Sequence, residues 1–169
     1  GYSLPGVGAD QMIEMYGKGQ TVLSSVLYSF NDNRESNDWN GFFALSSTNS
    51  RTKGVNTETQ VPLFDLGASP SDEMKIVWQS TDNVGMVDLA DYVVSLNGEG
   101  FSLASTIENM RQEANSNNNG DGIVIDGYFG DWNEVSKEFD TISPAENEHI
   151  TLNQYAATES NEKYYMYLN

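Results

Sequence analysis

The aromatic run at the C-terminal end is the sequence feature that most constrains the fold. In Tyr164-Tyr-Met-Tyr-Leu168, alternate residues of a strand would point to opposite faces, and both sets are aromatic or apolar. A strand of this composition needs cover on both faces, as it would have in the interior of a sandwich. Left at an open edge, the same strand would favour pairing with another chain.

Strand-like segments recur at short spacing along the rest of the chain. The further predicted strands are 10–16, 21–30, 39–45, 55–61, 73–81, 88–96, 123–126 and 150–157. The glycine-bearing stretch 17–20 predicts an antiparallel hairpin, whereas the polar stretch 46–54 predicts a loop and 62–67 a single turn. This spacing predicts an all-β fold, a mostly antiparallel β-sandwich of jelly-roll or immunoglobulin-like type.

One short helix is predicted, over residues 102–114, with Ser105 as its N-cap and Glu108 three residues later. The Asn- and Gly-rich stretch 115–122 follows it and is typical of a linker. We therefore divide the chain into a main body (1–98), a helix and linker (99–121) and a C-terminal segment (122–169).

Charge and composition exclude several classes of function. The chain has 8 Lys and Arg residues against 25 Asp and Glu residues, a net charge of -17, which disfavours nucleic acid and anionic membranes as partners. No apolar run approaches the ~20 residues that a membrane-spanning helix needs, so membrane insertion is not expected. The absence of cysteine excludes disulfides and thiolate catalysis.

Two groups of aspartates are candidate calcium ligands, because a hard cation prefers closely spaced carboxylate and amide oxygens. The candidates are Asp121, Asp126 and Asp131 near the linker, and Asp82, Asp88 and Asp91 around a predicted turn. The spacing does not match an EF-hand. A flexible linker and a solvated acidic loop are the simpler explanations of the same residues.

Catalysis has little support in the sequence. His149 is the only histidine, and no nucleophile or acid pattern near it forms a triad. The Gly-rich stretches do not lead into a helix, as a phosphate-binding loop would. We therefore expect a protein that is not an enzyme.

A family resemblance rests on Val124-Ile-Asp-Gly-Tyr-Phe-Gly-Asp-Trp-Asn-Glu-Val135, followed by residues 150–157 and 163–168. This pattern resembles the opening of secreted β-sandwich domains related to family-nine carbohydrate-binding modules and DOMON domains. Residues 1–98 resemble the second half of such a domain, as in repeat-bearing surface proteins of archaea, so the halves stand in reversed order. The resemblance implies an extracellular or cell-surface protein, with surface glycans as candidate ligands of Trp39 or Trp132, although Trp is more often a core residue.

The reversed order allows two arrangements. Residues 122–169 either fold back onto the main body of their own chain or complete the sandwich of a neighbouring copy. The second arrangement predicts a structural subunit of an extracellular filament or cell-surface assembly, joined head-to-tail to identical subunits through Tyr164, Tyr165, Met166, Tyr167 and Leu168. The alternatives are a carbohydrate-binding module of a secreted enzyme or adhesin, a small secreted hydrolase with an unrecognised site, and a fragment that lacks its remaining strands.

Overall fold

The protein is described here by a computed structural model. The described residues are 1–4, 7–69, 72–81, 87–89, 94–96, 122–139, 152–160 and 162–169, with 87–89 and 94–96 described through their backbone alone. Several predictions lie outside these residues: the helix over 102–114, the linker that follows it, His149, and the side chains of Asp82, Asp88, Asp91 and Asp121.

Strands and short 3-10 turns make up the regular structure of the described residues. The strands are β1 (Tyr2–Leu4), β2 (Val7–Ala9), β3 (Gln11–Gly17), β4 (Val22–Phe30), β5 (Phe42–Ser47), β6 (Asn49–Lys53), β7 (Asn56–Pro62), β8 (Met74–Ile76), β9 (Gln79–Thr81), β10 (Val87–Leu89), β11 (Val94–Leu96), β12 (Glu138–Phe139), β13 (Gln154–Ser160) and β14 (Lys163–Leu168). The 3-10 turns are Trp39–Gly41, Leu63–Leu66 and Phe129–Glu134.

Two larger sheets pack face to face. One has the strand order β3-β4-β5 and the other the order β12-β13-β14-β7-β6, and the pairings in both are antiparallel. Leu27 of β4 packs between the sheets against Val61 of β7 and Tyr164 of β14, all three being buried. The all-β, mostly antiparallel fold predicted from the sequence is confirmed.

The aromatic strand β14 lies in the middle of the five-stranded sheet. It pairs with β13 on one side and with β7 on the other. Tyr164 faces the sheet β3-β4-β5, whereas Tyr165 and Tyr167 face the opposite side, where Trp132 packs. Both faces of β14 are therefore covered, as its composition requires.

A third layer covers the outer face of the five-stranded sheet. It consists of residues 123–135, which bury Ile123, Ile125 and Trp132. The strand predicted over 123–126 is wrong, because these residues pair with no neighbouring strand. A side chain replaces one strand partner: the Val124 N–H donates to Asp131 Oδ2 at 2.7 Å.

Strand β6 occupies part of the stretch predicted to be a loop. Its residues are polar, and the inward-facing hydroxyl of Ser50 forms hydrogen bonds with the hydroxyls of Ser25 at 2.7 Å and Thr59 at 2.5 Å. Because its buried side chains are hydroxyls paired with other hydroxyls, β6 lacks the apolar alternation by which strands are recognised.

Candidate functional site

The contacts between the main body and the C-terminal segment comprise a strand ladder, two shared core clusters and a buried carboxylate. The ladder joins β7 and β14, and its register runs from Lys163 opposite Pro62 to Leu168 opposite Thr57. We call all contacts between residues 1–98 and 122–169 the segment joint.

The hydrophobic core depends on the segment joint. Each of the three buried clusters among the described residues contains side chains of the C-terminal segment. Trp78 of the main body, for example, packs against Tyr155 of the segment, with ring centroids 4.8 Å apart. The main body therefore shares both of its described buried clusters with the segment, and its own aromatic group of Tyr2, Phe30, Trp39 and Phe42 is only partly buried.

A buried carboxylate lies at the outer face of the joint. Glu58 of β7 has no exposed surface. Its Oε1 accepts hydrogen bonds from the backbone N–H groups of Asp126 at 2.8 Å and Gly127 at 2.6 Å, and its Oε2 accepts one from the Trp132 indole at 3.1 Å. We call these three donors together with Glu58 the carboxylate clasp.

The turn at Asp126 and Gly127 shapes the clasp. Asp126 Oδ1 accepts a hydrogen bond from the Tyr128 N–H at 2.7 Å, which closes the turn through a side chain. Gly127 has a φ of 84°, a conformation that is strained for residues with a Cβ. The turn directs two consecutive N–H groups at one oxygen, as in the anion-binding concavities formed by successive backbone amides.

Burial raises the pKa of Glu58 above its ordinary value. The hydrogen bonds from Gly127, Trp132 and Asp126 act in the opposite direction, and the nearby carboxylate of Asp131 adds to the increase. The charged form is thus well supplied with donors but removed from water. Asp131 Oδ1 is itself buried and has no hydrogen-bond partner.

Aromatic and cationic side chains surround the clasp. Trp132 is fully buried, and its ring centroid lies 5.4 Å from that of Tyr167. At the rim, Lys53 of β6 places its Nζ 4.0 Å from the ring centroid of Tyr128, an attractive cation–π geometry that spans the joint. The joint therefore combines backbone pairing, apolar burial and an enclosed carboxyl group.

The predicted interface residues all lie within the chain's own sheet. Tyr164, Tyr165 and Tyr167 are buried, and Met166 and Leu168 are half-buried. Their strand pairs with β7 of the same chain, so the structure has the intramolecular form of the two arrangements that the sequence allows.

The candidate calcium ligands Asp126 and Asp131 have structural partners. Asp126 accepts from Tyr128, and Asp131 accepts from Val124. Within the described ranges, no group of three or more acidic or histidine side chains is arranged to hold a metal ion. The described part of the chain also has no helix long and apolar enough to cross a membrane.

The two candidate glycan-binding tryptophans lie in different clusters. Trp132 is fully buried among side chains of the C-terminal segment, so its ring faces are not open to a sugar in this structure. Trp39 is 47% exposed and meets Tyr2 and Phe42 at interplanar angles of 87° and 63°. These edge contacts do not form the coplanar pair of exposed rings that would make a stacking platform.

Sequence reasoning missed Glu58, the central residue of the clasp. In the alternating strand 55–61 it belonged to the polar set, which is normally solvent-exposed. The sequence signal for a buried acceptor was the Asp126-Gly127 turn together with Trp132. These residues present N–H donors, and buried N–H donors need an acceptor.

No family model, no curated protein and no solved structure matches this chain. Its functional interpretation therefore rests on the geometry of the segment joint.

Proposed function

We propose that this chain is a structural subunit of an extracellular or cell-surface assembly, in which residues 122–169 complete the sandwich of a neighbouring copy. The single observation that carries the proposal is that the main body shares both of its described core clusters with the C-terminal segment. The extracellular location is supported by the resemblance of the Asp126-Gly127 and Asp131-Trp132 motif to secreted sandwich domains.

Exchange between copies requires no new contact. In the closed chain the segment reaches its own main body, and the connection between them runs through residues 99–121. If that connection leads to a neighbour instead, the same ladder, core and clasp form in trans, which is the low-cost route of domain swapping. A chain that gives its segment to one copy and receives another from a third extends head-to-tail.

The geometry favours this function over a carbohydrate-binding module. Trp132 serves the joint through its indole N–H and its buried ring, and Trp39 lacks a coplanar exposed partner. The aromatic side chains of the segment are used to bury surface inside the sandwich, which is the role of a structural element.

A pair of introduced cysteines would report which copy supplies β14. Thr57 and Leu168 stand opposite each other across β7 and β14, and the chain has no cysteine of its own. Opposite positions in an antiparallel pair lie within reach of a disulfide. We expect the double variant Thr57→Cys and Leu168→Cys, refolded and oxidised at increasing concentration, to form disulfide-linked dimers and longer chains on non-reducing gels.

The matched control is the double variant Glu14→Cys and Val26→Cys, which bridges the β3–β4 hairpin. Neighbouring strands of one hairpin remain in the same chain, so this pair should give monomeric disulfides at every concentration. If the β7–β14 pair also gives monomers alone at all concentrations, the chain completes its own sandwich and the head-to-tail proposal is wrong.

A further inference from the structure

We propose that Glu58 selects the segment that completes the sandwich, and that the partner it selects is the 122–132 stretch of a second copy of this chain. This inference rests on the proposed function and adds its specificity-determining residue. The carboxylate belongs to the main body and the three donors belong to the C-terminal segment. Neither part contains a complete clasp without the other.

The clasp imposes a chemical requirement that a strand ladder does not. Backbone pairing with β7 accepts many β-strand sequences, because ladder hydrogen bonds do not depend on side-chain identity. Glu58 instead requires a turn that presents two adjacent backbone N–H groups, those of Asp126 and Gly127. It also requires an indole donor five residues after Gly127, at Trp132. A segment that lacks these donors would bury the carboxylate without partners, which is strongly unfavourable.

In the structure the chain's own segment meets this requirement, and a second copy carries the same donors, so a copy is the partner that fits in an exchange. The residue that accepts and the residues that donate are encoded together, so each copy carries both halves of a matching pair. The positive φ of Gly127 restricts the turn further, because residues with a Cβ are strained there. An unrelated apolar strand would satisfy β7 but not Glu58.

Two full-length variants with complementary defects would test the selection. In Glu58→Leu the acceptor is lost and the donors remain, and in Trp132→Phe the indole donor is lost and the acceptor remains. When the two chains are unfolded together and co-refolded, an intact clasp can form only between the main body of the Trp132→Phe chain and the segment of the Glu58→Leu chain. In the second pairing, the main body of the Glu58→Leu chain receives the segment of the Trp132→Phe chain. The introduced leucine then lies against the introduced phenylalanine, and no indole N–H is left without an acceptor.

We expect mixed dimers of this pair to exceed their statistical share by about tenfold. A hydrogen bond to a charged group contributes roughly 1.5–3 kcal/mol, and a difference of about 1.4 kcal/mol changes an equilibrium constant tenfold. Isotope labelling of one variant and native mass spectrometry would count mixed and unmixed species. The control mixture replaces Glu58→Leu with Glu14→Leu, the same change at an exposed carboxylate, and should show the statistical share. If the Glu58→Leu chain does not refold alone, Glu58→Met takes its place, because it also removes both carboxylate oxygens.

A parallel mixture of labelled and unlabelled wild-type chains separates the two proposals. If wild-type copies form mixed species but the Glu58 and Trp132 pair shows no enrichment, segment exchange stands and selection by Glu58 is wrong. If wild-type copies form no mixed species after co-refolding, exchange between copies is wrong and the selection proposal is overturned with it.

Discussion

Glu58 lies between polar neighbours in β7, yet its side chain is fully buried. Three N–H donors from residues 126–132 converge on it, so the charged form exchanges water for fixed donors. Removing any one donor leaves a buried group unmatched, at a cost of about 1–3 kcal/mol. The Glu58 carboxylate has its hydrogen-bond donors when the segment is in place. When a segment without these donors replaces it, the buried carboxylate destabilises the folded state.

Replacing Glu58 with Gln should remove part of the pH dependence of stability. Because burial raises its pKa, the folded chain holds this proton more tightly than the unfolded chain, whose value is near 4.5. The associated stabilisation is complete below the unfolded pKa and is lost as the pH rises through the raised folded pKa. The wild type should therefore lose stability relative to Glu58→Gln across that window, measured by urea unfolding from about pH 4 to about pH 8.

Glu134→Gln is the matched control, because Glu134 is an exposed carboxylate of the same segment. Its unfolding free energy should follow the wild-type curve. Parallel curves for wild type and Glu58→Gln would show that Glu58 titrates alike in the folded and unfolded chains, contrary to the effect of burial.

Among the elements, apolar periodicity predicted several strands correctly, but the single strand predicted over 73–81 is wrong, because β8 and β9 are separate strands in different sheets. The sequence placed β3, β4 and β14 correctly, and the turn closed at Gly67, because side-chain alternation and glycine are local signals. The stretch 123–126 has strand composition, but its Val124 N–H donates to the Asp131 carboxylate instead of to a neighbouring strand, a contact that no local pattern encodes.

The need of β14 for cover on both faces was readable from its sequence, whereas its central position between β7 and β13 was not. Strand composition specifies that cover is needed, but the pairing of residues 163–168 with 57–62 joins positions about 100 residues apart. The clasp was hidden for the same reason, since Glu58 and its donors meet only after the sheet has formed.

Both faces of β14 should contribute to stability. Tyr164 and Tyr165 point to opposite faces and are 1% and 4% exposed. Truncation of either to Ala should cost about 3–5 kcal/mol, as for other large buried side chains. Urea unfolding would measure both losses. The control is Val55→Ala, because Val55 is 77% exposed, and its free energy of unfolding should change by no more than about 0.5 kcal/mol.

A large effect for Tyr165→Ala with a small one for Tyr164→Ala would contradict the packing of the two sheets against each other. The opposite pattern would show that residues 123–135 cover the outer face only loosely. Equal and large losses are the result expected for a strand enclosed on both sides.

At the scale of the whole molecule, charge opposes the joint. Residues 1–98 have five basic and twelve acidic side chains, and residues 122–169 have two basic and nine acidic ones, so each part carries a net charge of -7. Attraction between opposite charges therefore does not bring the parts together. Apolar burial, the β7–β14 ladder and the clasp must exceed a repulsion that grows when several copies associate.

Salt should consequently increase the share of assembled chains. A copy that takes the segment of another meets a second chain of charge -17, and screening weakens that repulsion, since the Debye length falls from about 10 Å at 0.1 M to about 3 Å at 1 M. Light scattering after refolding in increasing NaCl should show a rising mean mass. The Thr57→Cys and Leu168→Cys variant, oxidised first as a dilute monomer, cannot exchange its β14 and should keep a constant mass. A mean mass that falls as salt is added would show that opposite charges hold the copies together, which the acidity of both parts argues against.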